Sequence, residues 1–257
     1  MNTNSELKIK ELKEKVSQSC RIIYKMGLAT FMEHVSARVP GESMLITNPF
    51  GSLEKIKPGD LIVVDFNADL VEGTIKPRGW TLLHIEIFKA RKECNGIVHT
   101  HQPMGLVFGI TDRRVVSLLH SACSNSSKET STYENPDVLN EIDWDRAKEI
   151  VKSIGNRDIC HIQGHGIEFL GNSVEDATIS AIQFEQQCTI NYLTTSVGFP
   201  RPISKESVER MKQFHQKDLL PRCWKYYCDL IKQDDDKEER EKESYFLLKS
   251  LNEKLNS

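Results

Sequence analysis

Strand-like and helix-like runs interleave along this 257-residue chain, and that alternation restricts it to a layered α/β arrangement in which helices cover a sheet. Residues 5 to 26 place Leu7, Ile9, Leu12, Val16, Cys20 and Ile23 at the spacing of an amphipathic helix. Strands are expected at 43 to 47 and 61 to 65, with turns marked by Pro49-Phe50-Gly51 and Pro58-Gly59-Asp60. The stretch that holds His34 would precede the first of these strands. A helix over 81 to 94 leads into a strand at 96 to 101 that Pro103 ends, and Val115 to Leu119 reads as a further strand. Asp143 can cap a helix running to Ile154, followed by strands at 158 to 163 and 166 to 170. Ser173 and Asp176 form a variant capping box for a long helix from 174 to 195. One or two helices fit 204 to 232, where the aromatic stripe of Trp224, Tyr226 and Tyr227 suits a core or a subunit interface. The mixed-charge run Lys232 to Glu243 reads as a solvated helix or a disordered linker. A domain boundary is expected after residue 203, with 204–257 a helical extension carrying a charged tail.

Chemistry concentrates in Ile97-Val98-His99-Thr100-His101. In a strand, alternate residues share a face, so the imidazoles of His99 and His101 stand side by side about 6 to 7 Å apart at the backbone, close enough to grip one metal ion. His165, in Gln163-Gly164-His165-Gly166, is flanked by small residues that leave its ring room to turn towards a ligand. Three imidazoles with an open fourth position suit a catalytic metal, since a closed structural site fills that position with protein. Alone, the His-X-His pair reads equally as two satisfied, half-buried histidines. His161 and Cys160, on the run leading to His165, are read as packing residues.

Composition sets looser bounds. At 39% hydrophobic and 28% charged, the chain has room for a sizeable core, and a formal net charge of -3 gives no global attraction to nucleic acid or to an anionic membrane. No apolar run approaches the roughly 20 residues of a membrane span, and the N-terminal stretch is too charged for a signal peptide. The seven cysteines form no CxxC pair and read as reduced thiols, so a cytoplasmic protein is expected.

Several phrases recur in order between Gly27 and Leu193: Glu33-His34-Val35-Ser36-Ala37-Arg38, Met44-Leu45-Ile46-Thr47, Lys57-Pro58-Gly59-Asp60-Leu61-Ile62, Gly73-Thr74-Ile75-Lys76-Pro77, Leu83-His84-Ile85-Glu86-Ile87, the His99 and His101 run, and Gly164-His165-Gly166 with Gly171-Asn172-Ser173-Val174-Glu175-Asp176-Ala177. On these the chain resembles the class II aldolase/adducin family. The resemblance implies a three-layer α/β/α sandwich around a central mixed, mostly antiparallel sheet, occupying residues 1–203. It also implies that His99, His101 and His165 hold a divalent metal, zinc foremost, with manganese, cobalt or iron as other ions that imidazole accepts. A cyclic homotetramer with sites between subunits is implied in the same way.

The departures from the pattern bear on the reaction. Phosphosugar aldolases of this family carry Lys-Pro-Ser-Ser-Glu just before the position of His84; here Arg78 and Gly79 stand at the two phosphate-binding serines and Trp80 at the catalytic glutamate. His34 stands where the family has a phosphate-binding asparagine. A tryptophan cannot shuttle a proton, so the aldol acid/base step lacks its usual residue. The chain is similar instead to decarboxylases of the family in the phrases His34-Val35-Ser36, His84-Ile85-Glu86-Ile87 and Gly164-His165-Gly166.

Retro-aldol cleavage and decarboxylation both leave an enolate that a chelated cation stabilises, but only the first needs a base to remove a hydroxyl proton. The leading expectation is a metal-dependent carbon–carbon lyase, a decarboxylase before an aldolase, acting on a small carboxylate or hydroxycarbonyl compound. Candidates for the acid that protonates the enolate are His34, Glu86 and Tyr133; Glu86 also reads as an i,i+3 surface pair with Lys89, and His34 as scaffold. Arg78 is a candidate carboxylate clamp or an ordinary solvated arginine, Trp80 a surface for stacking a planar substrate, and Ser36 a further substrate contact. Two other readings stand beside this one: a noncatalytic, adducin-like scaffold in which Trp80 records lost chemistry, and an iron and dioxygen enzyme.

Overall fold

The computed structural model of the protein describes residues 3–77, 79–111, 113–120, 130–134 and 142–255, with side chains from 6 to 237. Eight strands form one sheet: β1 (His34–Arg38), β2 (Met44–Thr47), β3 (Ile62–Asp65), β4 (Leu70–Glu72), β5 (Gly96–Thr100), β6 (Ser131–Tyr133), β7 (Ile159–Ile162) and β8 (Gly166–Gly171), in the order β4-β3-β2-β1-β5-β8-β7-β6. Every pairing is antiparallel except the parallel β6–β7 pair at one edge, which makes the sheet mixed and mostly antiparallel as expected.

Helices cover both faces. On one side lie α1 (Thr3–Lys25), α3 (Pro103–Gly109) and α5 (Val174–Val197), together with α7 (Leu220–Leu255), which follows α6 (Lys205–Phe214) and a π-helical turn. Val35, Ala37, Ile46, Val63, Val98, Ile167 and Phe169 point to this side and build the larger core. On the other side α2 (Gly79–Ala90) and α4 (Trp144–Ile154) cover Leu45, Ile62, Val64, Ile97, Cys160, Ile162 and Leu170. The two sets alternate along each strand, the period-two consequence of burying both faces. Asp143 caps α4 by accepting from Arg146 N, and Ser173 caps α5 by accepting from Asp176 N. Asp176 Oδ2 reaches back to Asn172 N, one residue short of a standard capping box.

Two elements differ from the expectations and two add to them. Val115 to Leu119 is not a strand. Side-chain amides of α5 replace a ladder there: Asn191 accepts from Val116 N and donates to Val116 O at 3.0 and 2.9 Å, and Gln187 accepts from Leu119 N at 3.2 Å. The stretch at His34 does precede the strand expected at 43 to 47, and it forms a strand of its own, β1, that was not expected. His34, Ser36 and Arg38 alternate with Val35 and Ala37; His34 and Ser36 are buried under α2, and half-buried Arg38 donates to the carbonyls of Phe88, Arg91 and Cys94. Pro103 does more than end a strand, for it is the first residue of α3, where its missing N–H costs nothing. Finally, α7 carries Ile231, Trp224 and Tyr227 into the core beside α1, and Arg21 donates to Asp235 at 2.6 Å. Tyr226 of the same stripe faces solvent.

Candidate metal centre

Three neighbouring strands place the centre. His34 of β1 is paired with His99 of β5, and His99 with Glu168 of β8, so all three side chains stand in one row on the sheet face beneath α2. His101 lies just beyond the end of β5 and turns its ring back to the same side, its Nε2 3.2 Å from His99 Nε2. The third imidazole comes from the turn between β7 and β8, where Gly164 takes a left-handed φ of 68° and leaves His165 facing the pair. One ring nitrogen from each of His99, His101 and His165 lies within 4.8 Å of the others. Gly166 makes this approach possible: a Cβ there would stand 2.6 Å from His99 Cε1 and 2.8 Å from His101 Cδ2. Convergent nitrogens over a residue that tolerates no side chain are a donor set that fits a divalent ion.

Two buried carboxylates stand behind the imidazoles. Glu168 Oε1 is 2.8 Å from His99 Nδ1, and Glu33 Oε1 is 3.2 Å from His101 Nδ1. Glu33 is itself fixed by the backbone N–H groups of Thr30 and Met32, at 2.7 and 3.0 Å. With Nδ1 of both rings turned to a carboxylate, both Nε2 atoms are left for a shared ligand. Burial opposes the charge on Glu168, but the charge of His99 and the nitrogens of His84 and His99 hold its carboxyl far below the usual range. Burial likewise opposes ionisation of Glu33, and His101 with the Thr30 N–H prevails and lowers it. His165 has no such carboxylate; burial, with the neighbouring charges of His99 and His101, pushes it down to about 3, so it is a neutral donor at physiological pH. Burial lowers His99 as well, against the pull of Glu168.

The expected site residues separate clearly. His34 lies beside the cluster, its ring centroid 5.7 Å from that of His99. Trp80 also lies there, but its indole is stacked on the cluster itself, 4.2 Å from the His165 ring at an interplanar angle of 2° and 5.5 Å from the His99 ring. One indole face is thereby taken by the protein. Ser36 is fully buried and bonded to His84 Nδ1 at 2.7 Å, so it holds a side chain rather than contacting a substrate. Glu86 pairs with Lys89 at 2.8 Å, and two residues from His84 is about 200° around the helix, away from the sheet. Tyr133, on the edge strand β6, donates to Glu149 of α4 at 3.2 Å, and burial with that carboxylate raises its hydroxyl. Arg78 lies outside the described residues. His161 is on the opposite face of the sheet, against Phe184.

Sequence reasoning assigned no role to Glu168, Glu33 or His84. Only the alternation of β8, which puts Glu168 between Ile167 and Phe169, carried a signal, since a charged residue inside an apolar strand must be paired. Arg146 is a further addition: its charge is among the causes that lower His165.

No helix among the described residues is long and apolar enough to cross a membrane. The structure is similar to L-fuculose 1-phosphate aldolase from Glaciozyma antarctica PI12, with a TM-score of 0.76 at 20% identity over 92% of this chain and 94% of that one. An aldolase II superfamily protein from Pseudomonas syringae matches with a TM-score of 0.76 at 19% identity, covering 88% and 94% of the two chains. YgbL from Escherichia coli, named as a candidate aldolase/epimerase/decarboxylase, matches with a TM-score of 0.66 at 16% identity over 79% and 99%. At these identities the likeness is one of fold. The family profile described as Class II Aldolase and Adducin N-terminal domain matches residues 14–192, and on that match the chain belongs to the class II aldolase and adducin family.

Proposed function

We propose that the protein is a metal-dependent carbon–carbon lyase that decarboxylates a small carboxylate, with aldol-type cleavage of a hydroxycarbonyl compound as the neighbouring reaction. The observation that carries the reading is the set of converging imidazoles of His99, His101 and His165 with an indole, not a carboxylate, stacked against them. A divalent ion in such a site supplies a Lewis acid that draws off the negative charge developing when a bond beside a carbonyl breaks. Zinc is the ion we assign, because three neutral nitrogen donors and an open fourth position suit catalytic zinc.

The chain's own residues favour loss of carbon dioxide. Trp80 neither takes nor gives a proton, so a hydroxyl proton has no acceptor at the position where family aldolases carry one. Departing carbon dioxide needs none. His34, alone of the three candidate acids, lies beside the cluster, and we assign it the return of a proton to the substrate carbon. Arg146 on α4 is the cation we assign to the substrate carboxylate, because guanidinium binds carboxylate in bidentate fashion. His101 and His165 are only partly covered, which leaves the approach to the cluster on their side. A homotetramer, by family resemblance, and a cytoplasmic location, from the charged N-terminal stretch and the unpaired cysteines, complete the reading.

The test is metal content by plasma mass spectrometry on untagged wild type and on a His99→Ala/His101→Ala variant, followed by a panel of isotope-labelled carboxylates scored for released carbon dioxide. Near-stoichiometric metal that disappears in the variant, with carbon dioxide from at least one substrate, is expected. Wild type that stays metal-free after incubation with zinc and manganese would sink the lyase and favour the noncatalytic scaffold. Loaded protein that yields aldehydes but no carbon dioxide would replace decarboxylase by aldolase.

A further inference from the structure

We infer that Glu168 is a positioning residue that sets the proton arrangement of two imidazoles at once, His99 at the metal centre and His84 behind it. The four groups form a buried chain: Ser36 Oγ is 2.7 Å from His84 Nδ1, His84 Nε2 is 3.4 Å from Glu168 Oε2, and Glu168 Oε1 is 2.8 Å from His99 Nδ1. Ser36, Glu168 and His99 are 0% exposed and His84 1%, so water does not substitute for any link. Neither carboxylate contact meets hydrogen-bond geometry as the rings stand, so Glu168 acts on the two nitrogens as a negative charge held at close range.

For neutral rings, a nitrogen lone pair facing a carboxylate at this range is repelled, which leaves a single arrangement. A carboxylate offers only acceptors, so each ring nitrogen facing Glu168 must carry its proton. His99 is therefore the Nδ1–H tautomer, with its Nε2 lone pair aimed at the other cluster nitrogens. His84 is the Nε2–H tautomer, its Nδ1 can only accept, and the Ser36 hydroxyl must donate to it. The same carboxylate also places a negative charge 2.8 Å behind His99 Nδ1. Three histidines alone would leave a divalent ion uncompensated; here Glu168 and Glu33 lie behind two of them. The reach of His84 to Glu168 gives a reason for the buried imidazole built into α2.

The experiment measures two things on wild type and Glu168→Gln. Zinc affinity comes from competition with a chromogenic chelator, and the histidine tautomers come from nitrogen–proton correlation spectra of protein labelled in its histidines, with and without zinc. The affinity arm rests on the proposed metal centre, whereas the tautomer arm does not. A carboxamide presents one acceptor and one donor, so in Glu168→Gln one of the two rings must change tautomer, and zinc affinity is expected to fall about 10- to 100-fold. A residue that merely filled space would leave the tautomers as they were. Wild type with Nε2–H on His99, or a Gln variant with both wild-type tautomers and unchanged zinc affinity, would overturn the inference. Wild type with the expected tautomers that binds no zinc would refute the metal centre and uphold the role of Glu168. The wild-type spectrum decides this even where the variant does not fold.

Discussion

At the scale of single residues, the centre depends on an atom that is missing. Gly166 has no positive φ, so its backbone would accept alanine, and the nearest obstacle is the pair of imidazoles that its Cβ would strike. A methyl group 2.6 Å from His99 Cε1 forces His99 and His101 to move. We expect Gly166→Ala to cost about 1 to 3 kcal/mol of stability, as overpacking does, and to lower zinc affinity more than ten-fold because the displaced rings are the donors. Chelator competition and urea unfolding read the two effects separately; wild-type affinity in the alanine variant would mean that the three rings do not share an ion. The donors themselves were legible in the sequence, because strand periodicity alone puts His99 and His101 on one face. Their carboxylates were not. Glu168 meets His99 only through the β5–β8 register, a pairing of residues 69 positions apart that no local pattern reveals. For Ser36 and Trp80 the region was legible but the protein partners, His84 and His165, were not, since rotamers decide which neighbouring ring a side chain meets.

At the scale of elements, helices and strands with an apolar period were readable, and those whose buried face is polar were not. β5, β7 and β8 announce themselves by Ile and Val, and α4 by its Asp143 cap. β1 hides because one of its two buried faces carries His34 and Ser36, polar residues that stand beside and behind the site. The opposite error fell on Val115 to Leu119, which has strand composition and no strand partner. Its backbone is satisfied instead by Gln187 and Asn191, both buried on α5. Gln187→Leu keeps the apolar bulk and removes the acceptor facing the Leu119 N–H and one of the donors to the Val116 carbonyl. A loss of about 1 kcal/mol is expected, the net worth of hydrogen bonds at a half-buried segment. Urea midpoints would show it. An unchanged midpoint would mean that solvent reaches this segment and that the amides of α5 are not what holds it.

At the scale of the whole molecule, burying neutral histidines on both faces of the sheet makes stability depend on pH. Burial pushes His161 down to about 4, and burial with neighbouring charges pushes His165 down to about 3. In the unfolded chain these rings take up protons near pH 6.5. Between that value and the folded one the unfolded state binds more protons, so acid favours it; above about pH 6.5 both states are neutral and the histidines contribute no slope. Glu168 acts in the same direction at lower pH. Its carboxyl is held below the usual range, so the unfolded chain protonates it first and its contribution is lost only as pH falls beneath about 4.3. Stability should therefore be flat from pH 8 to 7 and decline below about 6.5, at up to about 1.4 kcal/mol per pH unit for a fully buried histidine. His161, packed on Phe184 and Gly109 away from the metal centre, isolates the effect. In chelator-treated protein, His161→Phe should narrow the gap in unfolding free energy between pH 7.5 and pH 5.5 by about 1 kcal/mol, since a ring of similar size replaces one that must be kept neutral. A variant whose gap equals that of wild type would place the acid sensitivity elsewhere, in the imidazoles of the metal centre, and chelated protein would then lose its pH slope only when His165 is replaced.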